Sequence, residues 1–291
     1  MSNPELLETC IGGRIFRWGF QTYVMGVLNV TPDSFSGDGL EDIHSCVKQA
    51  LAMEESGADI IDVGGESTRP PGLIYGEGAK EISADNELQR IIPVISAIRK
   101  HSNIPISVDT YKASVAEKAI NAGANMINDI WGLKKNPELA KISSRKNVPL
   151  VIMHNQIGTK YVDLIQDIIT DLQISINLAI DYGVKRSNII VDPGFGFGKL
   201  PSHNFEILRN LKILKSQLSY PMLIGTSRKS TIGKVLNKSD PKDRIFGTAA
   251  TVALSIASGV DFIRVHDVEE MKMVSLMSDA IVRSCPDGGV R

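Results

Sequence analysis

Ser56-Gly-Ala-Asp-Ile-Ile-Asp-Val-Gly-Gly65 joins the tail of an amphipathic segment to a short apolar run, and its first four residues recur along the chain. Ala122-Gly-Ala-Asn125 precedes Met126–Asp129, and Ser258-Gly-Val-Asp261 precedes Phe262–Val265. In each copy the glycine stands where a left-handed cap would end a helix. The run that follows is nearly continuous in apolar character, as strands of a parallel sheet covered by helices must be.

Outward from these junctions, apolar runs alternate with amphipathic segments from near residue 22 onward. The strands are expected at Tyr23–Leu28, Asp59–Val63, Ile104–Val108, Met126–Asp129, Pro149–Met153, Ile189–Asp192, Met222–Ile224 and Phe262–Val265. Helices are expected near 43–56, 84–100, 113–122, 137–146, 163–182, 204–216, 243–258 and 268–278, with Gly57, Gly123, Gly183 and Gly259 as stops. Eight such units match a closed α/β (β/α)8 TIM barrel, typically about 250 residues long. A doubly wound open sheet competes, but its glycine fingerprint is missing: Asn29-Val-Thr-Pro-Asp33 follows the first strand. The expectation is one barrel domain over 21–291. It is preceded by a hairpin or extension over 1–20, where Gly12-Gly13 lies between Ile11 and Ile15 and could plug the barrel floor.

Composition narrows the function. The 291 residues hold 32 Lys+Arg against 33 Asp+Glu and are 43% hydrophobic, a balance that offers a polyanion no general attraction. Nucleic acid and membrane surfaces are therefore not expected partners, and no apolar stretch approaches the roughly 18 residues of a span. Met-Ser-Asn-Pro-Glu lacks the basic and apolar blocks of a signal peptide, so a cytoplasmic location is expected. Cys10, Cys46 and Cys285 are widely separated and read as reduced, incidental thiols.

In such a barrel the active site lies at the C-terminal ends of the strands. Those positions hold Asn29, Glu66-Ser-Thr-Arg69, Asp109, Asn128, His154, Asp192, Ser227-Arg-Lys-Ser230, Arg264 and His266. Any one of them could be only a helix cap, but together they form a site with two chemical halves. Asp109, Asn128 and Asp192, read as having no matching cation of their own, suit a flat heterocycle with several N–H donors. Arg69, Lys229, Arg264 and His266 suit a phosphate or diphosphate.

Asp192-Pro-Gly-Phe-Gly-Phe-Gly-Lys199 fails as a nucleotide P-loop because Pro193 and Leu200 stand where glycine and a hydroxyl are needed. It reads instead as a glycine-rich loop in which Phe195 or Phe197 walls a ligand or merely covers the rim. Two longer loops, Asn29–Gly39 and Gly64 to about residue 83, suggest a site that closes and excludes water.

Seven segments in order resemble bacterial dihydropteroate synthases: Met25–Ser36, Gly65–Pro70, Ser107–Lys112, Ile127–Asp129, Asp192–Lys199, Ser227–Ser230 and Arg264–Asp267. The resemblance implies a usually dimeric barrel, the target of sulfonamides. It would join 6-hydroxymethyl-7,8-dihydropterin diphosphate to 4-aminobenzoate with Mg²⁺, releasing pyrophosphate. It implies that Asp109, Asn128, Met153, Asp192, Gly225, Lys229 and Arg264 bind the pterin. Asn29, Thr68, Arg69, Arg264 and His266 would hold the diphosphate, with Asn29 also meeting Mg²⁺. Phe35, Pro70, Phe197 and Ser230 would receive 4-aminobenzoate, and Asp33, Arg69, Asp109, Lys229 and His266 would carry the catalytic work. Departures from the family pattern are a lengthened second loop (Pro71, Leu73–Lys80) and Ser36-Gly-Asp-Gly39 in the first. The rivals are a pterin-binding methyltransferase, a Schiff-base aldolase using Lys229, and a non-catalytic pterin-binding protein.

Overall fold

The structure is a computed structural model, and it describes residues 8–30, 40–66 and 81–283. Eight parallel strands line up side by side: β3 (Tyr23–Asn29), β4 (Ile60–Gly64), β5 (Ile106–Asp109), β6 (Met126–Asp129), β7 (Leu150–Met153), β8 (Ile189–Asp192), β9 (Leu223–Ile224) and β10 (Phe262–Val265). Their spatial order is β8-β7-β6-β5-β4-β3-β10-β9, and a parallel bridge between Val191 and Met222 joins the last strand to the first. That is the expected barrel. Its helices are α1 (Leu40–Glu55), α2 (Ala84–Arg99), α3 (Ala113–Asn121), α4 (Glu138–Lys146), α5 (Leu164–Asp181), α6 (Pro201–Leu218), α7 (Ser230–Leu236), α8 (Ile245–Ala257) and α9 (Val268–Val282). No described helix is long and apolar enough to cross a membrane.

The repeated junctions have a common geometry. Gly57, Gly123 and Gly259 take φ of +95°, +118° and +90°, and the residue two positions on then grips the base of a neighbouring strand. Asp59 donates its N–H to Val24 O and accepts Val24 N–H on Oδ2, both at 2.8 Å. Asn125 does the same with Ile106 (2.7 and 3.1 Å), and Asp261 with Met222 (2.9 and 2.8 Å). An Asp or Asn is needed there because only a short side chain with an acceptor oxygen completes the pair.

The differences from the sequence expectation are local: α1 begins at Leu40 instead of 43 and α9 runs on to Val282 instead of 278, and two others have a clear physical cause. Helix α6 begins at Pro201 instead of 204, since proline is well suited to a first turn, where its missing N–H costs nothing. Helix α7 was not expected, because its seven residues are too few to display a helical period.

Alternate strand residues divide the core in two. Val24, Ile61, Val63, Ile106, Val108, Ile127, Ile152, Val191 and Ile263 face outward against the helices. Tyr23, Met25, Ile60, Met126, Val151, Ile190, Leu223 and Phe262 form a separate cluster with Ile11, Phe16 and Trp18 of the N-terminal segment. Strands β1 (Glu8–Ile11) and β2 (Arg14–Arg17) make the expected antiparallel hairpin, turning at Gly12 and Gly13. Its Phe16 ring lies 4.6 Å from Tyr23 and 5.7 Å from Phe262, and Trp18 lies 5.1 Å from Phe262, so the hairpin does close the floor. Trp18 Nε1 donates to Thr9 Oγ1 (3.0 Å), which leaves the indole satisfied when buried.

Candidate active site

Two residues beyond each floor residue, the same face of each strand reaches the mouth. Ile60 is followed by Asp62, Ser107 by Asp109, Met126 by Asn128, Val151 by Met153, Ile190 by Asp192, Leu223 by Gly225 and Phe262 by Arg264. The strand period therefore gathers Asp109, Asn128, Met153, Asp192, Gly225 and Arg264 into one ring. A Cβ added at Gly225 would rest 3.7 Å from Arg264 Cβ, so glycine leaves room beside the guanidinium.

The centre of this ring is a bridged pair of acids. Arg264 donates through Nε to Asp62 Oδ2 at 2.6 Å and through Nη2 to Asp109 Oδ2 at 2.7 Å. Asn128 Nδ2 donates to the same Asp62 oxygen at 3.0 Å. The acids thus do have a cation of their own, contrary to the expectation for Asp109, because Arg264 spans from β10 to β5. The other oxygens, Asp62 Oδ1 and Asp109 Oδ1, are buried with no hydrogen-bond partner among the described residues. Burial raises the Asp109 pKa to about 7 despite Arg264, and Asp62 adds to the rise. Burial also pulls the Arg264 guanidinium down, but Asp62 and Asp109 outweigh it and hold the charge on.

Asp192 closes the ring beside Met153, its register partner. Its Oδ1 accepts Gly194 N–H at 2.7 Å, while burial raises its pKa against the lowering pull of that bond and of Lys229. Lys229 donates to the Phe195 carbonyl and stands 4.3 Å from the centroid of Phe197. Desolvation lowers the Lys229 pKa to about 7, with Asp192 opposing. Of the two aromatic candidates, Phe195 is buried in the core and half-buried Phe197 is the one at the mouth.

The loop carrying these rings is tied from below. Lys199 donates to Phe197 O (2.9 Å) and meets His154 Nδ1 at 2.8 Å, so His154 serves this anchor instead of facing a ligand. Burial, with Lys199 adjacent, depresses His154 to about 2, leaving a neutral ring that can accept from the lysine. Gly194 has φ +72°, and a Cβ there would collide with the His154 carbonyl.

On the cationic side, His266 differs from its expected character. Burial, then Arg264 and Arg228, lower its pKa to about 4, so near neutral pH it is an uncharged donor. Ser227 Oγ accepts His266 N–H (3.2 Å) and lies 3.0 Å from Nδ1, so one hydroxyl holds both the backbone and the ring of His266 and leaves Nε2 for another partner. Arg228, at φ +59°, makes a two-pronged pair with Asp267 that stitches the β9 loop to the start of α9. Ser230 is the buried first residue of α7, and Asn29 ends β3 with its side chain exposed.

The base of the second loop is fixed as well. Glu66 accepts from Tyr111 Oη (3.1 Å) and pairs with Lys112, which also pairs with Glu87 at 2.6 Å. Asp33, Phe35, Thr68, Arg69, Pro70, Pro71, Leu73–Lys80, the Ser36–Gly39 swap and Cys285 lie outside the described residues. Asp62 was missed by the sequence reading. Its signal was a lone carboxylate inside the apolar run Ile60–Val63, at the strand parity that Asn128 and Arg264 share.

A closed barrel that presents acids, an amide and a lysine to one buried mouth belongs with enzymes that hold a flat, hydrogen-bonding heterocycle, and the comparisons agree. The family described as "Pterin binding enzyme" matches residues 25–266. The dihydropteroate synthase of Clostridium beijerinckii is 51% identical over 275 residues, spanning 94% of this chain and 99% of its own. The chain belongs to the dihydropteroate synthase family. The Clostridium difficile enzyme, solved in the presence of pteroic acid, superposes with a TM-score of 0.87 at 48% identity, over 92% of this chain and 100% of that one. The Xanthomonas albilineans enzyme with 4-aminobenzoic acid also gives 0.87, at 36% identity, over 94% and 98%.

Proposed function

We propose that this chain condenses 6-hydroxymethyl-7,8-dihydropterin diphosphate with 4-aminobenzoate, giving 7,8-dihydropteroate and pyrophosphate in folate biosynthesis. The observation that carries the reading is the acid pair Asp62 and Asp109, bridged by Arg264, each with a buried oxygen left unpartnered. Such oxygens favour a ligand that brings N–H donors or develops positive charge.

In this reading Asp109, Asn128, Asp192 and Lys229 bind the pterin edge, Met153 and Gly225 line its pocket, and Arg264 packs on the ring. The C–O bond to the diphosphate breaks, the electron pair leaving with pyrophosphate. Asp109 stabilises the methylene cation that remains. The arylamine lone pair then forms the C–N bond, and its surplus proton passes to pyrophosphate or water. No protein nucleophile is needed. Asn29, Thr68, Arg69, Arg264 and His266 hold the diphosphate, His266 as a neutral imidazole. Phe35, Pro70, Phe197 and Ser230 receive 4-aminobenzoate, and Asp33 stands in the first loop.

Mg²⁺ fits the donors present. Among the described residues no group of three or more His, Cys, Asp or Glu could cage a metal. Mg²⁺ is commonly held by one or two protein oxygens together with substrate phosphates, a role the Asn29 carboxamide suits. When bound there, the ion would neutralise charge on the departing diphosphate.

The same reading includes a cytoplasmic homodimer. Phe246 and Leu254 of α8 and Met273, Leu276, Met277 and Ile281 of α9 are all more than half exposed, an apolar face across two adjacent helices. Light scattering is expected to give twice the chain mass, and Met277→Glu to give a monomer; a monomeric parent protein would remove the dimer. The activity itself is tested by pyrophosphate release from the dihydropterin diphosphate with Mg²⁺. Release is expected only when 4-aminobenzoate is added, with dihydropteroate formed in equal amount. Tight pterin binding without condensation would instead mark a binding protein.

A further inference from the structure

Asp62 lies in the middle of β4 with no exposed surface. A carboxylate there loses its hydration, so its place inside the barrel calls for partners. Its Oδ2 takes both Arg264 Nε–H (2.6 Å) and Asn128 Nδ2–H (3.0 Å). A carboxylate can only accept. It therefore decides which end of the Asn128 amide faces β4: the nitrogen turns toward Asp62, and the carbonyl oxygen turns the other way.

We propose that Asp62 is a positioning residue for pterin recognition, holding Asn128 so that its side chain presents a hydrogen-bond acceptor, not a donor, to the heterocycle. The inference rests on the pterin reading above and adds the origin of its polarity. An N–H edge of a dihydropterin needs an acceptor at Asn128, and the amide of a free asparagine would offer either end. Asparagine at position 62 would fill nearly the same volume but carry donors of its own. It could then donate to Asn128 Oδ1, reverse that amide and set N–H against N–H.

The test is calorimetric titration of the full chain with 6-hydroxymethyl-7,8-dihydropterin, in the parent protein, Asp62→Asn, Asn128→Ala and the double variant. Asp62→Asn is expected to weaken binding about tenfold or more. In the Asn128→Ala background the same change is expected to cost far less, because no amide remains to orient. Asp62→Ser, whose hydroxyl is too short to reach Asn128, is expected to lose affinity similarly and serves if Asp62→Asn does not fold. Unchanged affinity in either folded variant, or equal losses in both backgrounds, would overturn the proposal, since Asp62 would then act independently of Asn128. A parent protein that does not bind the dihydropterin would instead remove the pterin reading itself.

Discussion

The floor and the mouth of this barrel are built from the same strands, two residues apart, and follow opposite rules. At the floor, Tyr23, Ile60, Met126, Val151, Ile190 and Phe262 pack with Phe16 and Trp18, and the buried Trp18 indole finds its hydrogen bond within the hairpin. At the mouth, Asp62, Asp109, Asn128, Asp192 and Arg264 take those places, and an oxygen each of Asp62 and Asp109 stays buried without a partner among the described residues. Apolar burial at the floor stabilises the fold, whereas the incompletely satisfied acids at the mouth are tolerated because the floor supplies that stability. The division predicts that substitutions at one end change stability and at the other change chemistry.

The strongest way to break the comparison is Phe16→Ala. Removing a buried ring that touches Tyr23 and Phe262 is expected to cost about 3–5 kcal/mol in denaturant unfolding while leaving kcat unchanged in the protein that remains folded. At the mouth the pattern should invert. Asp109→Asn is expected to lower kcat roughly 10²–10³-fold, the scale for losing one preorganised electrostatic group, with a smaller change in stability than Phe16→Ala because Arg264 keeps Asp62. Parallel melting curves and steady-state rates separate the outcomes; a mouth variant that unfolds as readily as Phe16→Ala would erase the distinction.

Gly194→Ala sharpens the boundary. Its left-handed φ of +72° and the His154 carbonyl in the path of a Cβ make a stability loss of about 1–3 kcal/mol the expectation. Because the same loop carries Phe197, and Gly194 N–H is the partner of Asp192, the KM for 4-aminobenzoate should rise and pterin affinity should fall with it, which steady-state kinetics with each substrate varied in turn would check.

Much of the fold was legible because its repeating unit writes itself into sequence. The Gly-Ala-Asp, Gly-Ala-Asn and Gly-Val-Asp junctions recur because each ends a helix and grips a strand base, and all eight strands lie where expected within two residues at either end. The seven residues of α7 are too short for a period. The ring at the mouth was legible wherever it fell at or next to the end of a strand, as Asp109, Asp192, Asn128 and Arg264 do. Asp62 was not, since a single carboxylate inside a five-residue strand is masked by its apolar neighbours. Nor was the Arg264–Asp109 pair: these residues are 155 apart in the chain and lie on strands that are not neighbours, so only barrel closure brings them together. The neutral state of His266 was equally hidden, because it follows from burial and two nearby arginines, not from residue type.

The most direct test of the mouth's chemistry is the pH dependence of kcat/KM for the parent protein and for Asp109→Asn. Asp109, raised to about 7, must be anionic to support the cation, so the rate should rise with pH through that value. Lys229, lowered to about 7, donates to the pterin more strongly when charged, so the rate should fall as pH climbs further. The parent should therefore give a bell centred near neutrality, and in the residual activity of Asp109→Asn the acid limb should shrink to what the diphosphate's own titration contributes. An acid limb that persists unchanged in the variant would contradict the account.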